Sequence, residues 1–364
     1  MYHADGVLHR IVHGRDVRLN HDRFAAATPK GDGSRRRGDR YGSGSVTVWP
    51  APTLTVKRKS VSTMLEARAV QRTCLGVAAS AGACFAVRMS KTDEFRARYG
   101  AWALVAGAGE GIGAAYAEAL ARRGLHLVLV DRATEPLGSL ATRLRQAHGV
   151  AVEDIVADLA GDDVVERIAA VAGGKEIGLL VCNAAQSATS EYLDVAVDDH
   201  RRSVMVNCLA PALLVRRYGA LMRGRRRGGI ILMSSLSGFQ GGPFLAHYAA
   251  TKAYNLVLAE GLWEECRAYG VDVLAVCPGA TRTPGYLAAR PKTASRWSPP
   301  EMEPSAVVDE ALAALGRAPW VIPGRGNRLG AFLIRRGLSR VQAVKAMGRV
   351  GRRLVDARRD RPEA

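Results

Sequence analysis

An apolar run that ends in closely spaced glycines is the feature that most limits the folds open to this chain. Residues 101–106 read AWALVA, and a helical pattern of small and apolar residues covers 114–123. Four glycines lie between these segments: Gly107, Gly109, Gly111 and Gly113. Glycine lets the main chain approach a ligand closely, and a helix N-terminus attracts anions. The pattern therefore predicts a strand, a glycine-rich turn and a helix start that together hold a dinucleotide phosphate.

Strand and helix patterns alternate through the rest of the central region. Apolar runs predict buried parallel strands at 125–130, 155–157, 177–181, 230–233 and 271–276. Helical patterns lie at 135–147, 162–172, 198–222 and 247–268. This alternation predicts an α/β fold, a Rossmann-type doubly wound parallel sheet with helices on both faces. The chemistry is then expected at the carboxyl ends of the strands, where Asn183, Ser235 and Pro278 follow predicted strands.

Asp131 follows the second predicted strand and lies about 20 residues after the glycines, a spacing suited to binding an adenosine ribose. A carboxylate at this position would repel a 2′-phosphate, and Glu110 in the glycine turn adds a second negative group. Arg132 acts in the opposite direction as a candidate phosphate partner. The two acids favour NAD, and NADP stays open.

Tyr248 precedes Lys252 by four residues, which is about one helical turn, so both side chains share a helix face. A phenol ordinarily has a pKa near 10, and a neighbouring ammonium is expected to lower that pKa. A tyrosine of this kind can exchange a proton with a substrate oxygen. Ser235, thirteen residues before Tyr248, can hold the same oxygen. These residues predict a proton-transfer site beside the dinucleotide.

Taken together, these segments resemble the short-chain dehydrogenases/reductases, in their single-domain NAD(P)-dependent branch, from about residue 99 to residue 286. AGAGEGIG at 106–113 is similar to the glycine motif of that family, and PGATRT at 278–283 to its segment near the nicotinamide. The resemblance implies four catalytic residues: Asn207, Ser235, Tyr248 and Lys252. It implies cofactor contacts from Gly107, Gly109, Glu110, Gly111, Ile112, Gly113, Asp131, Arg132, Asp158, Leu159, Asn183, Ala184, Tyr248, Lys252, Pro278, Gly279, Thr281 and Thr283.

The activity that the resemblance implies is the interconversion of a secondary alcohol and a ketone, with a hydrophobic substrate. Tyr248 would be the acid/base and Ser235 would hold the substrate oxygen. Lys252 would bind the nicotinamide ribose, and Asn207 would position a water that links Lys252 to solvent. The family usually forms dimers or tetramers, so we expect a homodimer or homotetramer through the two long helices that carry Asn207 and Tyr248.

Three positions depart from the family pattern. Ala106 replaces a threonine, and CNAA at 182–185 keeps only Asn183 and Ala184 of the usual motif. The changed residues Ala106, Cys182 and Ala185 lie beside the cofactor and not among the four chemical residues. We therefore expect weaker cofactor binding but an intact reaction.

Two other functions remain as alternatives. Sugar-nucleotide epimerases also use a Tyr-x-x-x-Lys pair, but usually with a different glycine spacing and a larger substrate domain. A non-catalytic membrane- or partner-binding protein that retains a dehydrogenase core belongs to another class. The complete set of four chemical residues argues against that alternative.

The net charge of +18 is confined to the two ends of the chain. Residues 1–88 carry 15 Lys/Arg and 6 Asp/Glu, residues 325–364 carry 12 and 3, and residues 89–324 carry 25 of each. No basic stripe crosses the predicted catalytic region, so no nucleic-acid partner is expected. The six cysteines show no metal-ligand spacing, and no metal is expected. Unpaired thiols in the core are typical of a reducing cytoplasm.

The first 88 residues lack a sustained helical or strand period and are expected to be mostly disordered. Three interpretations stay open. The natural start could be Met89, the segment could be an arginine-rich targeting sequence, or 73–87 could be a secretory apolar region if translation began at Met64. The dehydrogenase domain is accordingly assigned to 89–324 and a basic amphipathic helical tail to 325–364.

Two segments near the C-terminus are candidates for contact with substrate or lipid. Residues 284–319 are expected to begin as an irregular, proline-rich lid over the substrate. The tail at 329–355 interleaves arginines with apolar residues at helical spacing. It is expected either to pack on the core with its basic face exposed to solvent or to lie in a membrane interface. The predicted location is the cytoplasm, with membrane association open.

Overall fold

The structure is a computed structural model that describes residues 91–289 and 301–359. The interpretations of residues 1–88 and Met89, and the middle of the expected lid, lie outside the described residues. The strands are β1 Trp102–Ala106, β2 His126–Asp131, β3 Val152–Val156, β4 Ile177–Cys182, β5 Gly228–Met233, β6 Val271–Val276 and β7 Trp320–Val321. The helices are α1 Lys91–Tyr99, α2 Gly111–Ala121, α3 Thr134–His148, α4 Val164–Val171, α5 Val197–Arg225, α6 Ala246–Arg267, α7 Pro284–Ala289, α8 Pro304–Ala314, α9 Arg325–Gly337 and α10 Arg340–Arg359.

The seven strands form one parallel sheet in the order β3-β2-β1-β4-β5-β6-β7. Strand order reverses between β1 and β4, where Ala106 pairs with Val130 on one side and with Cys182 on the other. Ligands of open α/β sheets bind at such a switch point, beyond the carboxyl ends of the strands. The predicted doubly wound sheet is confirmed.

Two apolar cores lie on opposite faces of the sheet because alternate strand residues point in opposite directions. In β1, Ala103 and Val105 pack with helices α2, α3 and α8, whereas Leu104 and Ala106 pack with α4, α5 and α6. Every residue of β4 and of β5 is buried. Because the central strands are fully buried, they consist of continuous apolar runs, which could be recognised as strands in the sequence.

Strand β3 shows why one predicted boundary was wrong. The apolar run predicted a strand at 155–157, but the strand is Val152–Val156. Glu153 and Asp154 lie within it, and its residues alternate between buried and more exposed. An edge strand with one face partly exposed to solvent carries polar residues, so the apolar run coincided only with the end of β3. The two-residue strand β7 was too short to be predicted, and Pro284–Ala289 is helical where an irregular segment was expected.

Helix α5 is the one helix in the described ranges that is long and apolar enough to cross a membrane. Its buried residues Val206, Ala210, Leu214 and Met222 pack in the core beneath the sheet, as in the central helix of a globular protein. The helix contains π-helical turns at Met205–Leu209 and Val215–Gly219. Such turns occur frequently at functional sites, and the first of them contains Asn207.

Candidate active site

A cavity of about 650 Å³ opens at the carboxyl ends of the strands, where strand order reverses. It brings together most of the residues proposed from the sequence for cofactor binding. Those that line it are Gly107, Glu110, Gly111, Ile112, Asp131, Arg132, Asp158, Leu159, Asn183, Ala184, Tyr248, Lys252, Pro278 and Thr283. Its volume is in the range of known ligand sites.

The glycine turn packs so closely on its neighbours that side chains would not fit. Gly107 has φ +85°, and a Cβ there would lie 2.5 Å from the main-chain N of Ala184. A Cβ on Gly113 would collide with the carbonyl oxygen of Gly107. Although Ala106 lacks the hydroxyl of the family threonine, its carbonyl oxygen accepts hydrogen bonds from the N–H groups of Asn183 and Ala184, each at 2.9 Å. The turn is thus tied to the end of β4 through the main chain.

Asp131, the last residue of β2, binds the glycine turn through its carboxylate. Its carboxylate accepts hydrogen bonds from the N–H groups of Gly109 at 2.8 Å and Ala133 at 3.0 Å. Gly109 does not line the cavity itself, and a Cβ there would lie 2.9 Å from the carboxyl carbon of Asp131. The side chains of Glu110 and Arg132 are exposed at the cavity. A carboxylate fixed at this place fits the ribose of an adenine dinucleotide.

Asp158 is fixed by an ion pair that the sequence analysis did not identify. The guanidinium of Arg202, on α5, lies 2.5 Å from its carboxylate, and both residues line the cavity. Burial acts to raise the pKa of Asp158, but the hydrogen bond from Ala160 and the charge of Arg202 hold that pKa below its ordinary value. Arg202 and Asp158 are 44 residues apart, and no motif links them in the sequence.

Lys252 is buried beneath Tyr248 on helix α6. Its Nζ donates a hydrogen bond to the carbonyl oxygen of Met233 at 2.8 Å and lies 5.6 Å from the centre of the Tyr248 ring. Burial lowers the pKa of Lys252 to about 8, although the thiols of Cys208, Cys277 and Cys182 act to raise it. The amine therefore loses its proton near neutral pH much more easily than an exposed lysine does.

The pKa of Tyr248 corrects an expectation from the sequence. Burial raises this pKa, and the nearby Ser235 hydroxyl acts to lower it. We expected the Lys252 ammonium to place it below its ordinary value, but desolvation of the phenolate outweighs the hydrogen bond from Ser235. Tyr248 lines the cavity together with Lys252, and the sequence pattern predicted that these two side chains share one site.

Ser235 lies just outside the cavity lining and caps the short turn Leu236–Phe239. Its hydroxyl oxygen accepts a hydrogen bond from the N–H of Ser237 at 3.2 Å. The neighbouring Ser234 does line the cavity, and its hydroxyl donates to the carbonyl oxygen of Lys252 at 2.8 Å. Ser234 therefore fixes the turn of helix α6 that carries Lys252, a role that the sequence analysis did not assign.

Asn207 lies below the cavity and is fully buried. Its side chain binds the main chain of Gln186 and the hydroxyl of Thr251. Its main-chain carbonyl oxygen accepts a hydrogen bond from the side-chain amide of Asn255 at 2.9 Å. The water-positioning role expected for Asn207 stays a prediction. These contacts connect α5, α6 and the segment after β4.

The segment after β6 reaches the cavity through Pro278 and Thr283, whereas Gly279 and Thr281 do not line it. A Cβ on Gly279 would lie 2.6 Å from Oδ1 of Asn327 on α9. Thr281 is buried and donates from its hydroxyl to the carbonyl oxygen of Gly279 at 3.1 Å. The described residues contain no group of His, Cys, Asp or Glu that could hold a metal ion.

The comparisons with known proteins agree with this geometry. The family model for short chain dehydrogenases matches residues 101–293. The chain belongs to the short-chain dehydrogenase/reductase family. The 7beta-hydroxysteroid dehydrogenase of Clostridium sardiniense is 33% identical over 235 residues, which cover 65% of this chain and 90% of that relative.

Solved structures place the fold of this short-chain dehydrogenase beside that of its relatives. A structure of a 7beta-hydroxysteroid dehydrogenase matches with a TM-score of 0.65 and 28% identity, covering 69% of this chain and 98% of the other. A short-chain dehydrogenase from Sphingobium yanoikuyae in complex with NADPH matches with a TM-score of 0.56 and 32% identity, covering 65% and 93%. This member of the family is an NAD(P)-dependent oxidoreductase that acts on CH–OH groups. The fixed carboxylates and close glycine turn fit that cofactor.

Proposed function

We propose that this dehydrogenase interconverts a hydrophobic secondary alcohol and its ketone, with Tyr248 as the acid/base. The observation that carries the proposal is the placement of Tyr248 and Lys252 on the wall of the cavity that also contains the glycine turn. Proton transfer and cofactor binding then occur within one cavity. The named activities of the relatives, 7beta-hydroxysteroid dehydrogenases among them, support a bulky apolar substrate.

Each polar residue has a distinct part in the proposed reaction. A bound NAD(P) would supply the nicotinamide for hydride transfer. In oxidation, the Tyr248 oxygen takes the hydroxyl proton of the alcohol; in reduction, it returns a proton to the carbonyl oxygen. Ser235 holds that same oxygen, and a hydrogen bond from its hydroxyl acts to lower the pKa of Tyr248. Lys252, held by a hydrogen bond to the carbonyl oxygen of Met233, binds the ribose.

Replacement of Tyr248 by Phe tests this assignment. The variant keeps the ring and its packing but removes the exchangeable proton. We expect turnover of a panel of cyclic and aromatic ketones, followed by the absorbance of reduced nicotinamide, to fall by about 10²-fold or more. The dissociation constant for NAD(P)H should change little. Turnover retained by the variant would refute the assignment, and cofactor binding without any turnover in the wild type would favour the non-catalytic alternative.

We also propose that NAD is preferred over NADP. Asp131 is fixed by two main-chain N–H groups at the β2 end, and Glu110 is exposed beside it at the same cavity. Both carboxylates would repel a 2′-phosphate, whereas the Arg132 guanidinium would attract one. The ratio of kcat/KM for the two cofactors measures the balance directly.

A lipid contact is proposed for helix α9. Leu329, Phe332 and Leu333 are 60%, 57% and 56% exposed on one side of the helix. Arg325 and Arg336 are exposed one helical turn before and after this patch. Apolar residues surrounded by arginines are typical of helices that lie in an anionic membrane interface. Such an enzyme would be cytoplasmic and bound peripherally to the membrane.

Vesicle co-sedimentation tests the lipid contact. The triple change Leu329→Ser, Phe332→Ser and Leu333→Ser should reduce binding to vesicles that contain phosphatidylserine, while ketone reduction in solution is retained. Phosphatidylcholine vesicles provide the uncharged comparison. Equal partitioning of the wild type and the triple variant would overturn the proposal.

Assembly through α5 and α6 is proposed from their exposed apolar residues. Val204, Leu209 and Leu213 are exposed on α5, and Tyr254 and Val257 on α6. Burying these faces against a second copy would remove them from water, which supports a homodimer or homotetramer. Val257→Glu should shift the sedimentation coefficient of the protein toward that of the monomer, and an unchanged coefficient would count against this interface.

A further inference from the structure

A second, much smaller cavity shares Tyr248 with the cofactor-sized cavity. Its volume is about 10 Å³, and besides Tyr248 its polar lining comes from Ser190, Tyr192, His200, Ser203 and His247. A space of this size admits roughly one oxygen atom with its hydrogens. It lies beside the proposed acid/base, but none of its other polar residues has a part in the reaction proposed above.

The hydrogen bonds of the two histidines define which nitrogens carry protons. Nε2 of His200 lies 3.1 Å from the carbonyl oxygen of Tyr192, and Nε2 of His247 lies 3.1 Å from the carbonyl oxygen of His200. A carbonyl oxygen only accepts, so each Nε2 must be the donor. In the neutral imidazole the other nitrogen, Nδ1, is then an acceptor.

Nδ1 of His200 is buried and has no hydrogen-bond partner among the described residues. The ring cannot easily turn to find a partner. It packs against the tilted ring of Tyr192 with ring centres 4.4 Å apart, meets His247 edge-on at 4.7 Å, and is held by the hydrogen bond to the carbonyl oxygen of Tyr192. Leaving such an acceptor unpaired is costly, and native proteins pair nearly all buried polar groups.

The backbone around the cavity is also fixed. Phe244, which lines the cavity, has φ +65°, a conformation that non-glycine residues rarely adopt. Its carbonyl oxygen accepts a hydrogen bond from the N–H of Ser190 at 3.1 Å, and the Arg352 guanidinium lies 5.1 Å from its ring centre. Strained backbone held by several contacts is common at ligand sites.

We propose that Nδ1 of His200 accepts a hydrogen bond from an O–H group held in this cavity, which makes His200 a specificity-determining residue. The O–H group is either a hydroxyl on the substrate, in addition to the one that reacts, or a water that the substrate abuts. The proposal rests on the oxidoreductase function proposed above and narrows its substrate class. A site that pairs a substrate hydroxyl discriminates strongly against the analogue that lacks it.

A matched pair of substitutions separates the acceptor from the donor of this side chain. His200→Asn keeps an acceptor oxygen near the position of Nδ1 and loses the bond to Tyr192. His200→Gln keeps a donor near the position of Nε2 and loses the acceptor. The kcat/KM for reduction is measured for cyclohexanone and its hydroxyl-substituted derivatives, and cofactor binding and thermal melting are recorded as folding controls.

Two results would support the proposal, and they distinguish a substrate hydroxyl from a bound water as the source of the O–H group. If the substrate supplies the hydroxyl, His200→Gln lowers kcat/KM about tenfold for at least one hydroxy ketone and leaves cyclohexanone within twofold. If a water is bound, His200→Gln lowers kcat/KM for all the ketones to a similar extent. In both cases His200→Asn retains more activity than His200→Gln. Equal kcat/KM values for the wild type and both variants on every substrate would overturn the proposal.

Crystallography provides a readout that does not need turnover. Crystals of the wild type, grown with and without a hydroxy ketone, should show an oxygen atom within hydrogen-bond distance of Nδ1 of His200. An empty cavity in both crystals would refute the inference. Failure of the proposed function is distinct, because it would appear as an absence of NAD(P)H-linked ketone reduction in the wild type.

Discussion

The side chain of Asn207 binds both main-chain groups of Gln186: its Oδ1 accepts from the N–H at 2.7 Å and its Nδ2 donates to the carbonyl oxygen at 2.8 Å. The same Nδ2 donates to the hydroxyl of Thr251 at 3.0 Å. Asn207 belongs to α5, Thr251 to α6, and Gln186 follows β4 at the cavity. One amide thus joins three segments of the active site.

Asn207→Ala should therefore weaken the fold as well as the reaction. The change removes three hydrogen bonds, two of them to the partly buried main-chain groups of Gln186, which costs about 2 kcal/mol in the free energy of unfolding. Urea denaturation measures this quantity. Gln186→Ala is the matched control because it removes a side chain and keeps the same main-chain bonds, so its effect should be less than half as large. Equal losses in the two variants would contradict the assignment.

The sequence predicted those parts of the site that depend on local structure. The glycine turn between β1 and α2 and the pair of Tyr248 and Lys252 on one helix follow from spacing alone. The parallel, doubly wound sheet followed from the alternation of strands with helices, because parallel strands need crossover connections. The boundaries of interior strands were predicted more accurately than those of the edge strand β3: Val271–Val276 coincides with the predicted run, and β5 begins two residues before its own predicted run.

Contacts between distant segments could not be read from spacing. Arg202 reaches Asp158 across 44 residues, and Asn327 packs against Gly279 from a helix beyond the matched family region. Neither pair has a local pattern that would reveal it. The direction of the pKa shift of Tyr248 could not be predicted from the sequence either, because it depends on how completely the fold buries the phenol.

Asp131→Asn should relax the preference between cofactors. The substitution keeps an acceptor oxygen for one of the two main-chain N–H groups that bind the carboxylate. It removes the negative charge that would oppose a 2′-phosphate. We expect the ratio of kcat/KM for NADP over NAD to rise about tenfold, the equivalent of roughly 1.4 kcal/mol. Glu110→Gln, at an exposed position of the same cavity, should have a smaller effect. An unchanged ratio in Asp131→Asn would be evidence against this role for Asp131.

The buried amine of Lys252 should make stability depend on pH in alkaline solution. Burial lowers its pKa to about 8 in the folded protein, whereas an unfolded lysine has a pKa of about 10.4. Between these values the unfolded chain binds a proton that the folded protein does not, so stability rises with pH by about 1.4 kcal/mol per unit. Below pH 8 the full penalty for the buried charge is present. Lys252→Met has no such group and serves as the reference.

The measurement is the difference in free energy of unfolding between the wild type and Lys252→Met, from urea denaturation at several pH values between about 7 and 10. Because other ionisable groups titrate in both proteins, their contribution cancels in the difference. The difference should move in favour of the wild type as pH rises above 8. A difference that is flat across this range would show that Lys252 keeps an ordinary pKa in the folded protein.

Gly351→Ala should alter substrate use through the wall of the smaller cavity. A Cβ at Gly351 would collide with the carbonyl oxygen of Pro243 and lie 3.0 Å from the ring of Phe244, so helix α10 must move away from this segment. Phe244 would then lose part of the packing that holds its strained backbone beside Tyr248. We expect KM for bulky ketones to rise several-fold, with little change in the dissociation constant for NAD(P)H. Gly337→Ala, at the end of α9, is the matched control because a Cβ there has no neighbour within 4 Å. If both variants have the KM of the wild type, the contact of α10 with Phe244 has no part in substrate binding.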